Sequence, residues 1–151
     1  MTIPYDDFTG AFLAKITEYD LIDLEEDERQ EVVDGFMKRT IGNSSFRKVI
    51  PYDFASGADD DAREYTVDID EDIIDEIIDI VSDGMLTQWL KPYVYKQELL
   101  ENILNTRDYT LYSPAELLLR IGNAYTKAQK DYTQAMREWS YNHGDLTRLH
   151  I

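Results

Sequence analysis

Cysteine is absent, and histidine occurs only twice, at His143 and His150. The first absence excludes disulfide staples, thiolate metal sites and a cysteine nucleophile. The second leaves too few imidazoles for a multi-histidine metal site within one chain. No apolar run approaches the roughly 18 residues of a membrane helix. Met1-Thr2-Ile3-Pro4 carries neither a basic n-region nor an apolar h-region, so the expected compartment is cytosolic. No P-loop, dinucleotide glycine pattern or Gly-x-Ser-x-Gly elbow occurs. Without a convergent set of nucleophile, base and metal ligands, the expectation is a protein that is not an enzyme and needs no cofactor.

What is present is the composition of a folded protein: 151 residues, 43% hydrophobic, with eleven tyrosines. That is one domain's length, enough to bury roughly 70% of the surface the unfolded chain exposes. Acids outnumber bases 31 to 15, giving a net charge of -16, which argues against binding a phosphate backbone by counterion release. The charge is lopsided. Residues 1–90 hold 24 acids and 7 bases, whereas residues 91–151 hold 7 acids and 8 bases. A single domain, 1–151, is expected, its first part acidic and its last part near neutral.

The hydrophobic pattern predicts a mainly α fold: an antiparallel helical bundle with a long C-terminal helix. A first helix is read over about Tyr5–Tyr19, capped by Asp6 or Asp7, with Tyr5, Phe8, Phe12, Ile16 and Tyr19 on one stripe. A second spans about Leu24–Ile41, with Asp23 and Glu26 at capping-box spacing and Gly42 as the stop. Residues 43–66 are rich in turn formers, and around 43–69 a loop with a short β-hairpin is expected, Arg47–Tyr52 pairing with Glu64–Ile69. A third helix, about Glu71–Leu90, ends at Lys91-Pro92. A short helix is read at Lys96–Leu104. The fourth helix has the strongest signal: Ser113-Pro114-Ala115-Glu116 supplies an N-cap, a first-position proline and a glutamate at the third position, and Asn142-His143-Gly144 closes it.

Two surfaces stand out. Some 30 residues make the last helix a rod of about 45 Å, as long as a compact domain of this size is wide. Its stripe of Leu118, Ile121, Tyr125, Tyr132 and Trp139, with small Ala128 and Ala135 between, resembles a coiled-coil seam. Part of it is expected to face the chain's own helices and part a neighbouring subunit. On the third helix, Asp72, Asp75, Glu76, Asp79 and Asp83 form an acidic face: either a solvated surface or a negative field turned toward a polyanion. Asp59-Asp60-Asp61 and Asp68-x-Asp70-Glu71-Asp72 lack the ligand spacing of an EF-hand loop. Trp89 and Trp139 read as core anchors, and Gly122 as a helix-interior glycine that either permits close approach or is tolerated.

With those segments placed, a resemblance covers nearly the whole chain. Its residues are Tyr5-Asp6-Asp7-Phe8, Phe12-Leu13, Lys15-Ile16 and Glu18-Tyr19-Asp20-Leu21; then Gly84-Met85-Leu86, Trp89-Leu90 and Pro92; then Leu111-Tyr112-Ser113-Pro114-Ala115; and finally Asn142 with Gly144-Asp145-Leu146. In this order the sequence resembles small structural proteins from the morphogenesis clusters of tailed bacteriophages, and is similar to the head–tail connector (neck adaptor) family. The resemblance implies a virion protein, present in the host cytoplasm during assembly. It would form a homo-oligomeric ring in the neck, a dodecamer, between the portal protein and neighbouring neck or tail proteins. Genomic DNA would pass nearby without specific binding, and no membrane would be involved. Such a role has no catalytic residues to carry over, and the interval 43–66 departs most from the family pattern. An acid surplus suits a channel through which DNA slides, provided DNA passes within the screening length of about 8 Å. The acids at 72–83, or the Asp59–Asp61 loop, are then expected to line the lumen. The alternatives are another phage structural subunit, tail-completion or capsid-associated, or an acidic inhibitor that mimics DNA.

Overall fold

The computed structural model describes residues 1–16, 26–95 and 114–143. Among them the chain is mainly helical with a small antiparallel sheet. Strand β1 (Thr2–Pro4) runs straight into α1 (Tyr5–Ile16). Helices α2 (Glu26–Ile41) and α3 (Ser44–Val49) follow. A 3₁₀ turn at Ala55–Gly57 leads to β2 (Ala58–Asp59) and β3 (Glu64–Thr66), then to α4 (Glu71–Tyr95) and α5 (Pro114–His143).

Helix α1 begins at Tyr5, so Asp6 and Asp7 lie in its first turn rather than capping it. The Tyr5 N–H donates to the Arg63 carbonyl at 2.8 Å, which satisfies one orphan donor of the helix start. Gly42 follows α2 as expected, but no glycine among the described residues takes a left-handed φ. Instead the next residue, Asn43, caps a new helix, its side-chain oxygen accepting from the Ser45 N–H at 2.9 Å. The hairpin expectation fails on this side. Residues 44–49 are helical, with Phe46 and Ile50 buried four apart on one face. The other predicted strand is real but short, and β3 sits between β1 and β2, with Ile3 and Ala58 both opposite Tyr65. Its main partner lies more than 60 residues away in sequence, beyond the reach of any local pattern.

Helix α4 is the hub. It continues past the expected stop to Tyr95, with Pro92 inside it. A helical proline forfeits a hydrogen bond to the carbonyl four residues earlier. Here the flanking residues are engaged: Trp89 and Leu90 are buried and Val94 packs against the core. Glu76 meets His143 and Gly84 meets Tyr132, so α5 runs antiparallel to α4. Phe12 meets Trp89 and Lys15 meets Asp79, so α1 does too. One hydrophobic cluster runs through the sheet and all four long helices. Phe8 joins the layers, its ring edge-on to both Phe54 and Tyr65 at 6.2 and 5.9 Å. The buried hydroxyls of Thr40 and Ser82 donate to the carbonyls of Phe36 and Asp79, so neither is left unpaired. The predicted helix at Lys96–Leu104 and the caps at Asp23 and Ser113 lie outside the described residues.

Close helix approach occurs at Gly84, not at Gly122. A Cβ at Gly84 would run into Thr40 Cγ2 and stand 3.0 Å from the Tyr132 ring, whereas one at Gly122 would meet nothing within 4 Å. Gly84→Ala is therefore expected to lower unfolding free energy by about 1–3 kcal/mol through overpacking. Gly122→Ala should raise it by up to about 1 kcal/mol through helix propensity. Urea unfolding of the two variants checks the pair.

Candidate functional site

The acidic face of α4 forms as the 3.6-residue period requires, and neighbouring helices contact part of it: Lys15 serves both Asp79 and Asp83, and His143 meets Glu76. Lys15, in the last turn of α1, donates to Asp79 at 2.7 Å and Asp83 at 2.8 Å, and also to the Asp79 carbonyl at 3.2 Å. Burial works against the Lys15 ammonium, yet its bonds to Asp79 and Asp83 outweigh that and hold its pKa above the ordinary lysine value. Asp83 is pushed upward by burial, which Lys15 offsets only in part. At the other end, His143 in the last turn of α5 lies 2.9 Å from Glu76 and stacks on Trp139 with ring centroids 4.1 Å apart. Of the five predicted acids, Asp72 and Asp75 are exposed and have no ion pair among the described residues.

The predicted interface stripe on α5 is a core stripe. Ile121, Tyr125 and Trp139 are buried, together with Ala124, Ala128 and Met136, and Tyr132 is half-buried over Gly84. Ile121, Tyr125 and Trp139 therefore pack inside the chain, while Tyr132 keeps part of its surface outside. The reason is length: α4, extended through Pro92 to 25 residues, is itself a rod of about 38 Å and covers most of α5. The Leu118 side chain lies outside the described residues. Leu119 and Tyr141 do expose large apolar surface, but they stand about 33 Å apart along the helix and form no patch.

The strongest ionic junction went unread in the sequence. Arg63, the only base between Lys48 and Lys91, donates Nε–H and Nη2–H to the two oxygens of Asp34 at 2.9 and 2.8 Å. It also donates Nη1–H to Asp6 at 2.8 Å. This ties the β2–β3 turn to α1 and α2 with the fork geometry that only arginine provides. Its backbone takes φ 54°, a left-handed value that costs a non-glycine residue roughly 1 kcal/mol. Beside it the Tyr5 hydroxyl donates to Asp60 at 2.7 Å, and Lys38 pairs with the same carboxylate at 2.8 Å. The isolated base within an acidic stretch was the available signal.

A further feature is a groove of about 890 Å³ between the second half of α4, the middle of α5 and the α2–α3 junction. Lys91, Lys130 and Arg137 line it with amide and hydroxyl side chains, and Asp131 is the single acid in that lining. Tyr132 also lines it; its hydroxyl is buried without a hydrogen-bond partner among the described residues, and burial pushes its pKa up to about 12. Among the described residues no group of three or more histidines, aspartates and glutamates is placed to hold a metal ion. No described helix is long and apolar enough to cross a membrane.

Fold and surfaces together define a small, mainly helical, strongly acidic protein whose described features are ionic junctions and one cation-lined groove. Compared with known proteins, the chain matches no family model, no curated sequence and no solved structure.

Two outcomes follow from the ionic and phenolic groups. Arg63→Ala strands the largely buried Asp34 carboxylate and is expected to cost about 3 kcal/mol in chemical denaturation, whereas Asp75→Asn should stay within about 0.5 kcal/mol of the parent. Tyr5, Tyr65 and Tyr132 all have pKa values raised above the ordinary 10.0, chiefly by burial. Above that pH the unfolded chain releases phenolic protons that the folded chain keeps, so unfolding free energy falls as pH rises from 10. Lys15, also raised, loses its contribution in the same direction. Urea midpoints measured between pH 8 and pH 11.5 should decline only in the upper part of that range, and less steeply in Tyr132→Phe.

Proposed function

We propose that this chain is a non-enzymatic virion structural protein of a tailed bacteriophage, one subunit of an oligomeric neck ring that joins the capsid portal to the tail and through which DNA passes. The observation that carries the reading is the ordered series of motifs from Tyr5 to Leu146 that resembles the head–tail connector family. The fold is compatible with it: the stretch from Gly84 to Leu90 forms the part of α4 that α5 and α1 pack on, and the helix beginning at Pro114 is the longest element among the described residues.

The acid surplus supports a lumen role in a reduced form. Lys15 is shared by Asp79 and Asp83, and Glu76 meets His143, so the carboxylates of this face without an ion pair among the described residues, Asp72 and Asp75, are the best placed to repel passing phosphate. The same pairing breaks the run of phosphate-like charge that a DNA mimic would need along this helix. Within the ring, the portal protein on one side and a neck or tail protein on the other are the partners, in the virion and, during assembly, in the host cytoplasm.

The test is co-purification with portal protein and, separately, with tail tube, followed by electron microscopy of whatever complex forms. Retention on portal as a ring is expected; retention on tail tube alone would move the protein elsewhere in the virion. Phage carrying Asp72→Asn/Asp75→Asn should eject DNA more slowly, and unchanged ejection would remove those residues from the lumen.

A further inference from the structure

We infer that the cation-lined groove between α4 and α5 receives the acidic strip Asp68–Glu71 of a second copy of this chain, so that copies associate head to tail. The inference goes beyond the virion role and stands without it, because it needs only the groove and the strip.

The groove concentrates positive charge on a chain that carries twice as many acids as bases. Lys130 and Arg137 are exposed on α5, and Lys91 is exposed on α4. None of the three has an ion pair among the described residues. Lys130 and Arg137 are two helical turns apart, about 10 Å along the axis. The groove lining also offers neutral hydrogen-bonding side chains such as Gln88 and Thr133. Such a surface fits two or three carboxylates in a row rather than an apolar segment.

The same chain carries the complementary piece. Val67 is tied to the N-terminus in both directions, its N–H donating to the Met1 carbonyl at 2.9 Å and its carbonyl accepting from the Met1 amino group at 3.0 Å. Beyond it, Val67 and Ile69 are buried while Asp68 and Asp70 are exposed, and Glu71 is exposed at the start of α4. The carboxylates therefore project from an anchored segment whose burial alternates, and at strand spacing Asp68 to Glu71 spans about 10 Å, the spacing of the groove cations. A strip cannot fold into its own groove: Asp70 and Gln88 are separated by 18 residues of α4, about 27 Å. The two surfaces are different, so the contact is heterologous and propagates to a ring or an open chain. Duplex DNA is the other polyanion that a cationic groove can take, and the test below separates it from a second copy.

The absence of cysteine makes the test clean. A Lys130→Cys copy is mixed with an Asp70→Cys copy and oxidised at 0.01 M and at 1 M ionic strength, where the screening length falls from about 30 Å to about 3 Å. At low salt the mixed disulfide dimer should exceed that of a control pair, Glu31→Cys with Asp70→Cys, by at least about tenfold, and at high salt the excess should vanish. Sedimentation then compares the parent with Lys91→Glu/Lys130→Glu/Arg137→Glu and with Asp68→Lys/Asp70→Lys/Glu71→Lys. Each triple variant should be monomeric where the parent associates, and a chain carrying both sets, its charges exchanged, should associate again. All substituted positions are exposed, and circular dichroism confirms folding. A parent that stays monomeric at low salt, or self-association that survives the groove substitutions, overturns the inference. So does duplex DNA binding that the parent shows and the groove variant loses, which would assign the groove to nucleic acid. None of these outcomes touches retention on portal, which tests the virion role separately.

Discussion

Helix α4 is buried from several sides at once, and the rest of the molecule is arranged around that constraint. Ile77, Ile80, Val81, Met85, Trp89 and Leu90 cover more of its circumference than one neighbour can shield. A helix with so wide an apolar surface must be enclosed, and α1, α2 and α5 do so from different directions. At the tightest point no side chain is tolerated: Gly84 lets Thr40 and Tyr132 approach the α4 backbone from opposite helices. Moving α5 off this groove would expose Ile121, Ala128 and Trp139 as well as the face of α4, at roughly 25 cal/mol per Å² of apolar surface.

Electrostatics then distributes what burial leaves outside. A chain with this much acid repels itself on compaction, and the fold spends its few bases at the joints between elements. Lys15 holds α1 to α4, Arg63 holds the β2–β3 turn to α1 and α2, and Lys38 holds α2 to the same turn through Asp60. Three of the bases on α4 and α5, Lys91, Lys130 and Arg137, line one groove. The resulting molecule has acidic and cationic surfaces on separate parts, an arrangement suited to contacts between copies or with other proteins.

The helical class, the approximate bounds of α2 and α5 and most of the core were legible because amphipathic periodicity and caps act within a few residues. Phe8, Phe12, Val33, Met37, Ile77 and Trp139 are buried as their spacing implied. The assignment of the α5 stripe to a partner was not legible, because it depended on how far α4 extends. Pro92 was read as a stop from local sterics, whereas packing around Trp89, Leu90 and Val94 accompanies the helix through it. The same omission hid the partner of β3 and the Arg63 junction, both made by residues far apart in the chain.

Sequence alone determined which segments coil, where α5 can start, and that the molecule carries a large negative charge concentrated before residue 90. These follow from interactions within a turn or two of helix and from counting charges. Tertiary structure alone decided which apolar stripe is covered by the chain itself, which acids keep their charge exposed, and where the remaining cations converge. Those outcomes depend on the relative placement of helices, set by close packing at Gly84 and by ion pairs between residues as many as 68 positions apart, and no local pattern encodes them.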